Sequence, residues 1–274
     1  MSIIGIDIGS RSIERVVLDE LSMSWTWEKT PTTYDPLTQC RRLLADWDGC
    51  PVVATGYGRR LVAEHFPEFS VRTVTEIHAY ARGAHHLYPQ ARTVLDIGGQ
   101  DTKVIALSAQ GAVVKFEMND RCAAGTGKFL EFMATSLQVP LEAFGEFALQ
   151  ADKQVEINSM CTVFAESEAT SLMARGEKPQ NIAMALHRSV ARRTLAMLRR
   201  VGGESPVVFA GGVAHNPCMC QLLSESVSGA MIVAQDPDVV GALGAALIGA
   251  CEGIGGSPAP ELSEFAPKTA FHEL

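Results

Sequence analysis

Two segments of this sequence share one local pattern, in which an apolar strand ends near an Asp, a glycine turn follows and a second strand returns. This repeat constrains the fold because a duplicated supersecondary unit builds two similar halves. The sequence therefore predicts two related α/β lobes. The first copy comprises residues 3–8, Gly9, Ser10 and residues 13–18, and the second comprises residues 93–97, Gly98, Gly99 and residues 102–107.

The 274 residues are enough for two lobes that each bury a core. We expect residues 1–88 and 237–274 to form the first lobe and residues 89–236 the second. The stretch after Gly253, rich in Pro, Ser and Glu, is predicted to be a loose tail. Further strands are predicted near 23–27, 52–55, 112–118 and 206–210, and helices near 36–47, 75–87, 125–137, 141–150, 162–175, 179–201, 218–226 and 240–251.

Charge and hydropathy argue against several classes of partner. Lys and Arg number 23 against 31 Asp and Glu, a net charge of -8, and the basic residues are scattered, which argues against nucleic acid. The apolar runs are too short to cross a bilayer. The N-terminus begins in a strand pattern without the features of a signal peptide. We therefore expect a cytoplasmic protein that binds neither nucleic acid nor membranes.

The two Asp-glycine turns are suited to hold the phosphates of a nucleotide. Glycine lets backbone N–H groups approach a ligand closely, so the turn residues can surround a phosphate. Asp7 and Asp96 would face each other and bind Mg²⁺, either directly or through water. A single such turn is as consistent with an ordinary hairpin as with a binding site. Two matched copies favour the phosphate site.

Two further glycine segments are candidates for nucleotide contacts. Residues 210–216 follow an apolar strand, and their backbone can pack flat against an adenine or ribose. The segment from Gly125 to Lys128 is similar to a Walker A loop, but Cys122 and Phe129 replace the Gly and the Ser or Thr that this loop requires. It can still offer N–H groups from a helix N-terminus, with Lys128 as a phosphate contact.

In their order and spacing, the three motifs at residues 5–10, 96–99 and 211–213 resemble the superfamily of sugar kinases, Hsp70 chaperones and actin. The resemblance implies a two-lobed, actin-like ATPase with duplicated ribonuclease H-like α/β domains and a nucleotide cleft between the lobes. Asp7, Asp96 and Gln100 are the expected catalytic residues. The expected ATP contacts are Gly9, Ser10, Arg11, Ser12, Gly98, Gly99, Gln100, Asp101, Gly125, Thr126, Gly127, Lys128, Gly211, Gly212, Val213 and Asn216.

Two of the seven cysteines lie just before predicted helices, Cys122 before the helix near 125 and Cys161 before the helix near 162. A helix N-terminus favours thiolate over thiol and stabilises an anionic metal cluster. The alternative is that both are small buried apolar side chains. We interpret the remaining cysteines as structural, namely Cys40, Cys50, Cys218, Cys220 and Cys251.

Residues 118–131 and 161–168 closely resemble the activators of 2-hydroxyacyl-CoA dehydratases, and related ATPase subunits occur in benzoyl-CoA reductases. The resemblance extends from about residue 4 to 249. It implies an oxygen-sensitive homodimer that uses ATP and Mg²⁺ and is bridged by one [4Fe–4S] cluster, with Cys122 and Cys161 of each subunit as ligands. Such a protein passes one electron from reduced ferredoxin or flavodoxin to a two-subunit iron–sulfur dehydratase.

The first turn departs from the activator pattern, in which small residues and then a Lys commonly follow the glycine. Here the chain reads Ser10-Arg11-Ser12-Ile13-Glu14. Either Arg11 takes over part of the phosphate contact, or Glu14 is a solvent-facing strand residue. Three other functions stay open: a subunit of a benzoyl-CoA reductase or an activator of another double-cubane reductase, a small-molecule kinase of the same fold, and a chaperone-like ATPase.

Overall fold

Two five-stranded sheets form the frame of the protein, which a computed structural model describes over residues 2–47, 49–159 and 161–252. The strands of the first sheet are β1 (Ser2–Ile8), β2 (Ser12–Asp19), β3 (Trp25–Pro31), β4 (Val52–Thr55) and β5 (Val71–Thr73). The strands of the second sheet are β6 (Thr93–Ile97), β7 (Thr102–Leu107), β8 (Val113–Asn119), β9 (Val207–Ala210) and β10 (Met231–Val233).

The two sheets have the same topology. The first has the strand order β3-β2-β1-β4-β5, and the second, taken from its opposite edge, has the order β8-β7-β6-β9-β10. In each, the first three strands pair antiparallel and the last two are parallel to the central strand. The predicted α/β class with a duplicated unit is confirmed by this shared order.

Nine helices occur in the described part of the chain. They are α1 (Pro36–Leu44), α2 (Arg59–His65), α3 (Glu76–Leu87), α4 (Gly127–Ser136), α5 (Leu141–Leu149), α6 (Thr162–Ala174), α7 (Pro179–Val201), α8 (Pro217–Ser226) and α9 (Val240–Glu252). A short 3₁₀ helix covers Gly212–His215. Over the same described residues, none of the helices combines the length and the apolar character that a membrane span requires.

Helices α3 and α9 pack between the two sheets. Although α9 is the last of the described elements, it lies against β1, β2 and β4 of the first sheet, and α3 lies along α9 and reaches β6 and β7. The approach is close because a Cβ built on Gly244 of α9 would lie 1.7 Å from the Ala79 carbonyl oxygen of α3. Helix α9 thus packs against the first sheet, while the division of the chain into lobes stays a prediction.

Several elements differ from the sequence prediction, either in where they begin or because they were not predicted. Strand β3 begins at Trp25, two residues later than expected, because the carboxylate of Asp19 accepts the N–H groups of Leu21 and Ser22 and holds the preceding turn. Met23 in that turn has a left-handed φ of 55°. Helix α2 and strands β5 and β10 were not predicted, since three to seven residues show too little periodicity. The predicted tail lies outside the described residues.

Candidate functional site

A cleft of about 940 Å³ is lined by residues from both sheets and both glycine turns. Most of the predicted nucleotide residues line it, which brings together segments that are far apart in the sequence. Those that do are Asp7, Gly9, Ser10, Arg11, Ser12, Asp96, Gly98, Gly99, Gln100, Asp101, Gly127, Gly211, Gly212, Val213 and Asn216. Gly125, Thr126 and Lys128 do not line it.

The two glycine turns have equivalent hydrogen bonds and meet in the cleft. The Gly9 N–H donates to the Ser12 carbonyl at 3.0 Å, and the Gly98 N–H donates to the Asp101 carbonyl at the same distance. These two amides therefore close their own hairpins rather than face a phosphate. A Cβ on Gly99 would lie 2.4 Å from Cγ of Arg11, so glycine is needed for the turns to approach.

The segment from Gly125 to Lys128 supports the second glycine turn through backbone hydrogen bonds. The Gly127 N–H donates to the Gly98 carbonyl at 2.9 Å, and the Lys128 N–H donates to the Gly99 carbonyl at 2.7 Å. The exposed Lys128 ammonium pairs with Glu131 at 3.0 Å. The first amides of α4 are thus used by the second glycine turn, which links this helix directly to the edge of the cleft.

Asp7 and Asp96 are buried on the floor of the cleft, at 5% and 1% exposure. Burial raises the pKa of Asp7 well above its ordinary value and that of Asp96 to about 6, the latter against the opposing effect of Lys103. Asp96 Oδ1 is buried without a hydrogen-bond partner. A Cβ on Gly211 would lie 2.2 Å from this oxygen, so the third glycine motif leaves it room. Hard, incompletely satisfied oxygens of this kind fit Mg²⁺.

A buried lysine joins the second turn to α3. Lys103, only 2% exposed, places its ammonium 2.8 Å from Glu76, 2.9 Å from Asp96 and 2.6 Å from Asp101. Burial alone would lower its pKa, but the three carboxylates raise it well above the ordinary value. Sequence reasoning missed this role, because a Lys in a short strand is normally interpreted as a solvent-facing residue.

Glu14 is not a solvent-facing residue, so that interpretation of the first turn is wrong. It lines the cleft at 4% exposure, and its Oε1 atom is buried without a partner. Burial raises its pKa to about 7, while a hydrogen bond from the Ser12 side chain and the charge of Lys29 act in the opposite direction. Arg11 lies 2.5 Å from Glu131 of α4, so its guanidinium joins the two lobes across the cleft.

The third motif is held by a buried histidine. Asn216 caps α8, with its Oδ1 accepting the Met219 N–H at 3.0 Å, and its Nδ2 lies 3.0 Å from His187 Nε2. Burial lowers the pKa of His187 to about 4, so the ring is neutral. Its Nδ1–H then donates to the Ala183 carbonyl at 2.8 Å, and Nε2 accepts from Asn216.

Cys122 and Cys161 are both exposed. Cys161 is the N-cap residue of α6, as predicted, whereas Cys122 lies in the loop before α4, whose N-cap is Thr126. The Asn119 side chain donates a hydrogen bond to the Cys122 carbonyl at 2.9 Å. In the loop that leads to Cys161, the Glu168 carboxylate accepts a hydrogen bond from the Ser159 N–H at 3.0 Å. Both cysteine loops are thus held by polar side chains.

The other cysteines differ in their surroundings. Burial raises the pKa of Cys40 and of Cys218 to about 12, which suits a structural role. Across residues 2–47, 49–159 and 161–252, no three His, Cys, Asp or Glu side chains group as a metal site. The two exposed thiols are soft ligands that fit an iron–sulfur cluster, but they supply only half of a four-cysteine set.

Known proteins resemble this chain over nearly its whole described length. Residues 4–249 match the BadF/BadG/BcrA/BcrD ATPase family. The activator of lactoyl-CoA dehydratase from Anaerotignum propionicum is 40% identical over 256 residues, covering 90% of this chain and 96% of that protein. One of the subunits of benzoyl-CoA reductase from Thauera aromatica is 32% identical over 266 residues, covering 90% of this chain and 92% of that protein.

A solved structure extends the likeness to the fold. The activator of the 2-hydroxyisocaproyl-CoA dehydratase from Clostridium difficile with bound ADPNP matches with a TM-score of 0.82 at 34% identity, covering 92% of this chain and 95% of that one. The expected actin-like ATPase fold is confirmed by this neighbour. With the family match spanning nearly all of the described residues, the chain belongs to the BadF/BadG/BcrA/BcrD ATPase family.

Proposed function

We propose that this protein is an ATP-dependent one-electron donor that reduces and activates a two-subunit iron–sulfur 2-hydroxyacyl-CoA dehydratase. One observation carries the proposal. The second phosphate turn is hydrogen-bonded to the first turn of α4, and the loop that leads into α4 presents the exposed Cys122. A change at the nucleotide is therefore transmitted directly to a segment that bears a candidate cluster ligand.

The nucleotide half of the proposal assigns ATP and ADP to the cleft. Phosphoryl transfer is catalysed mainly by positioning and by stabilising charge, with Mg²⁺ neutralising the phosphate oxygens. Asp7 and Asp96 would hold the cation, directly or through water, and Gln100 would orient the attacking water. The buried and unpartnered Asp96 Oδ1 supports this assignment. Gly211, Gly212 and Val213 would lie against the adenosine.

The redox half assigns one [4Fe–4S] cluster to two copies of the chain. Such a cluster takes four thiolates and stores one electron, and a twofold dimer doubles Cys122 and Cys161 to four. Both thiols are exposed, as ligands shared with a second subunit must be. Val163 and Phe164, each 64% exposed, follow Cys161 on α6 and offer apolar surface for the contact.

Nucleotide binding and electron transfer would be coupled by movement of the lobes. Arg11 of the first turn and Glu131 of α4 pair across the cleft, and a nucleotide bound between the turns would change this contact. The relative lobe angle then changes the surroundings of Cys122, and with them the exposure and potential of the cluster. We place the reaction in the cytoplasm, with reduced ferredoxin or flavodoxin as the electron source.

A second candidate is the ATPase subunit of a benzoyl-CoA reductase or another double-cubane reductase. The identity with the benzoyl-CoA reductase protein of Thauera aromatica favours it. This candidate would use the same cleft and the same cysteines of this chain, and it would differ in whether the partner is released after electron transfer.

The test is anaerobic electron transfer to a purified 2-hydroxyacyl-CoA dehydratase. The protein is reduced with dithionite, freed of excess reductant and mixed with the dehydratase together with ATP or ADP. With ATP only, we expect the dehydratase to gain activity and the reduced cluster to be reoxidised, so that its visible absorption returns. Equal electron transfer with ADP would refute the coupling of electron transfer to ATP. Phosphorylation of a sugar or acid by ATP, in place of electron transfer, would show that the protein is a kinase.

A further inference from the structure

The two duplicated hairpins place opposite charges beside their aspartates. In the first sheet Asp7 pairs directly with Glu14, and in the second Asp96 pairs directly with Lys103. Side chains of directly opposed residues in an antiparallel pair project from the same face of the sheet. The two lobes are therefore alike in backbone but opposite in charge at equivalent positions on the floor of the cleft.

The aspartate of the second lobe already has a cation from the protein itself. Asp96 Oδ2 accepts from the Lys103 ammonium at 2.9 Å, and Glu76 and Asp101 hold the same ammonium from two other sides. Lys103 is buried and fixed by three carboxylates, so its charge stays beside Asp96. Only the Oδ1 atom of Asp96 remains for other contacts.

The aspartate of the first lobe faces a second carboxylate instead. Glu14 Oε1 is buried and unpartnered, and Asp7 is buried beside it. The basic residue opposite Glu14 on β3 is Lys29, whose ammonium lies 2.8 Å from Asp238. Two neighbouring buried carboxylates are unfavourable unless a cation joins them.

We infer that the divalent cation of the bound nucleotide lies nearer to Asp7 than to Asp96, which has only Oδ1 left to reach it, and that Glu14 is a further carboxylate that binds the cation directly or through water. Mg²⁺ is normally held by one or two carboxylates, with phosphate oxygens and water completing its shell. The inference rests on nucleotide binding in the proposed function and adds a residue that the three glycine motifs do not include.

Calorimetric titration of the full chain with ADP, once with Mg²⁺ and once with EDTA, tests the role of Glu14. For Glu14→Gln we expect the tightening of ADP binding by Mg²⁺ to fall roughly tenfold. In EDTA the ADP affinity should stay the same or improve, because a negative charge near the phosphates is removed. Mn²⁺ titration followed by EPR, with ADP present, should show the same loss of cation affinity without any turnover.

The matched control is Glu64→Gln, which removes an exposed carboxylate of α2 that does not line the cleft. It should leave both titrations unchanged. Glu14→Asp keeps the charge and should retain part of the Mg²⁺ effect, and it serves as the test if Glu14→Gln does not fold. Unchanged Mg²⁺ dependence in the Glu14 variants, or equal weakening with and without Mg²⁺, overturns the inference alone. Failure of the wild-type protein to bind ADP in either condition overturns the proposed function and the inference with it.

Discussion

The buried carboxylate of Glu14 makes the stability of the first lobe depend on pH. Its pKa is raised from 4.5 to about 7, so between these values the folded chain retains a proton that the unfolded chain has lost. The stabilisation is complete below pH 4.5 and is lost as the pH rises through 7. At about 1.4 kcal/mol per unit of pKa, it falls by between about 2 and 3 kcal/mol from pH 5 to pH 8.

Substitution of Glu14 by Gln should remove this pH dependence of stability. We expect the free energy of unfolding of Glu14→Gln, relative to wild type, to rise by between about 2 and 3 kcal/mol from pH 5 to pH 8 in EDTA without nucleotide. Urea denaturation followed by tryptophan fluorescence is the assay, because all three tryptophans, Trp25, Trp27 and Trp47, lie on the first sheet or pack against its core. Mg²⁺ with ADP should reduce the wild-type pH dependence, since a cation beside Glu14 lowers its pKa.

Comparison with Glu64→Gln controls for the loss of a charge as such. That carboxylate is exposed, and its removal should leave the pH dependence as in wild type. A difference between Glu14→Gln and wild type that stays constant from pH 5 to pH 8 would refute the reasoning, because it would mean that Glu14 titrates alike in the folded and unfolded chains.

Further predictions concern other buried charges. Lys103→Met should lower the free energy of unfolding by at least about 3 kcal/mol in urea, because it leaves buried carboxylates unpaired. The exposed control Lys153→Met, which breaks a surface pair with Glu177, should cost little, and equal losses would contradict the account. Burial lowers the pKa of His187 to about 4, so the free energy of unfolding of wild type should fall by about 3 kcal/mol, relative to that of His187→Phe, as the pH falls from 6.5 to 4. A difference between the two proteins that does not depend on pH would contradict the burial of His187 as a neutral ring.

The elements that the sequence predicts well are those with a strong local signal. The hairpins around Asp7 and Asp96 combine apolar strands with glycine turns, and the long helix α7 has sustained amphipathic spacing, so both could be located without tertiary information. Strand β3 was displaced because Asp19 side-chain hydrogen bonds extend the turn before it. Strand β5 is only three residues long and depends on its neighbour β4.

The candidate site was predicted less completely, because its charges depend on tertiary contacts. Lys103 and Glu76 lie on different elements, and no local pattern indicates that they meet in a buried pair. Equally, the amides of Gly127 and Lys128 were expected to face the nucleotide, whereas in the structure the second turn uses them. A comparison of the two hairpins residue by residue could have identified Glu14 and Lys103, since both follow their Asp by the same number of positions.

The cluster ligands can be tested one at a time. Cys122→Ala and Cys161→Ala should each lose the cluster while ADP binding stays near the wild-type affinity, because neither residue lines the cleft. Cys251→Ala is the matched control, since this exposed cysteine is interpreted as structural and should keep the iron. Full iron content in either of the first two variants would show that the ligand assignment is wrong.

The most direct test of the central claim is the iron content of the wild-type protein purified without oxygen. Four thiolates from two chains around one [4Fe–4S] cluster require about two irons per chain, a brown protein and a dimer in solution, with an EPR signal that appears on reduction by one electron. A colourless, iron-free protein that still binds ATP would contradict the proposed electron transfer and leave only the nucleotide half of the account.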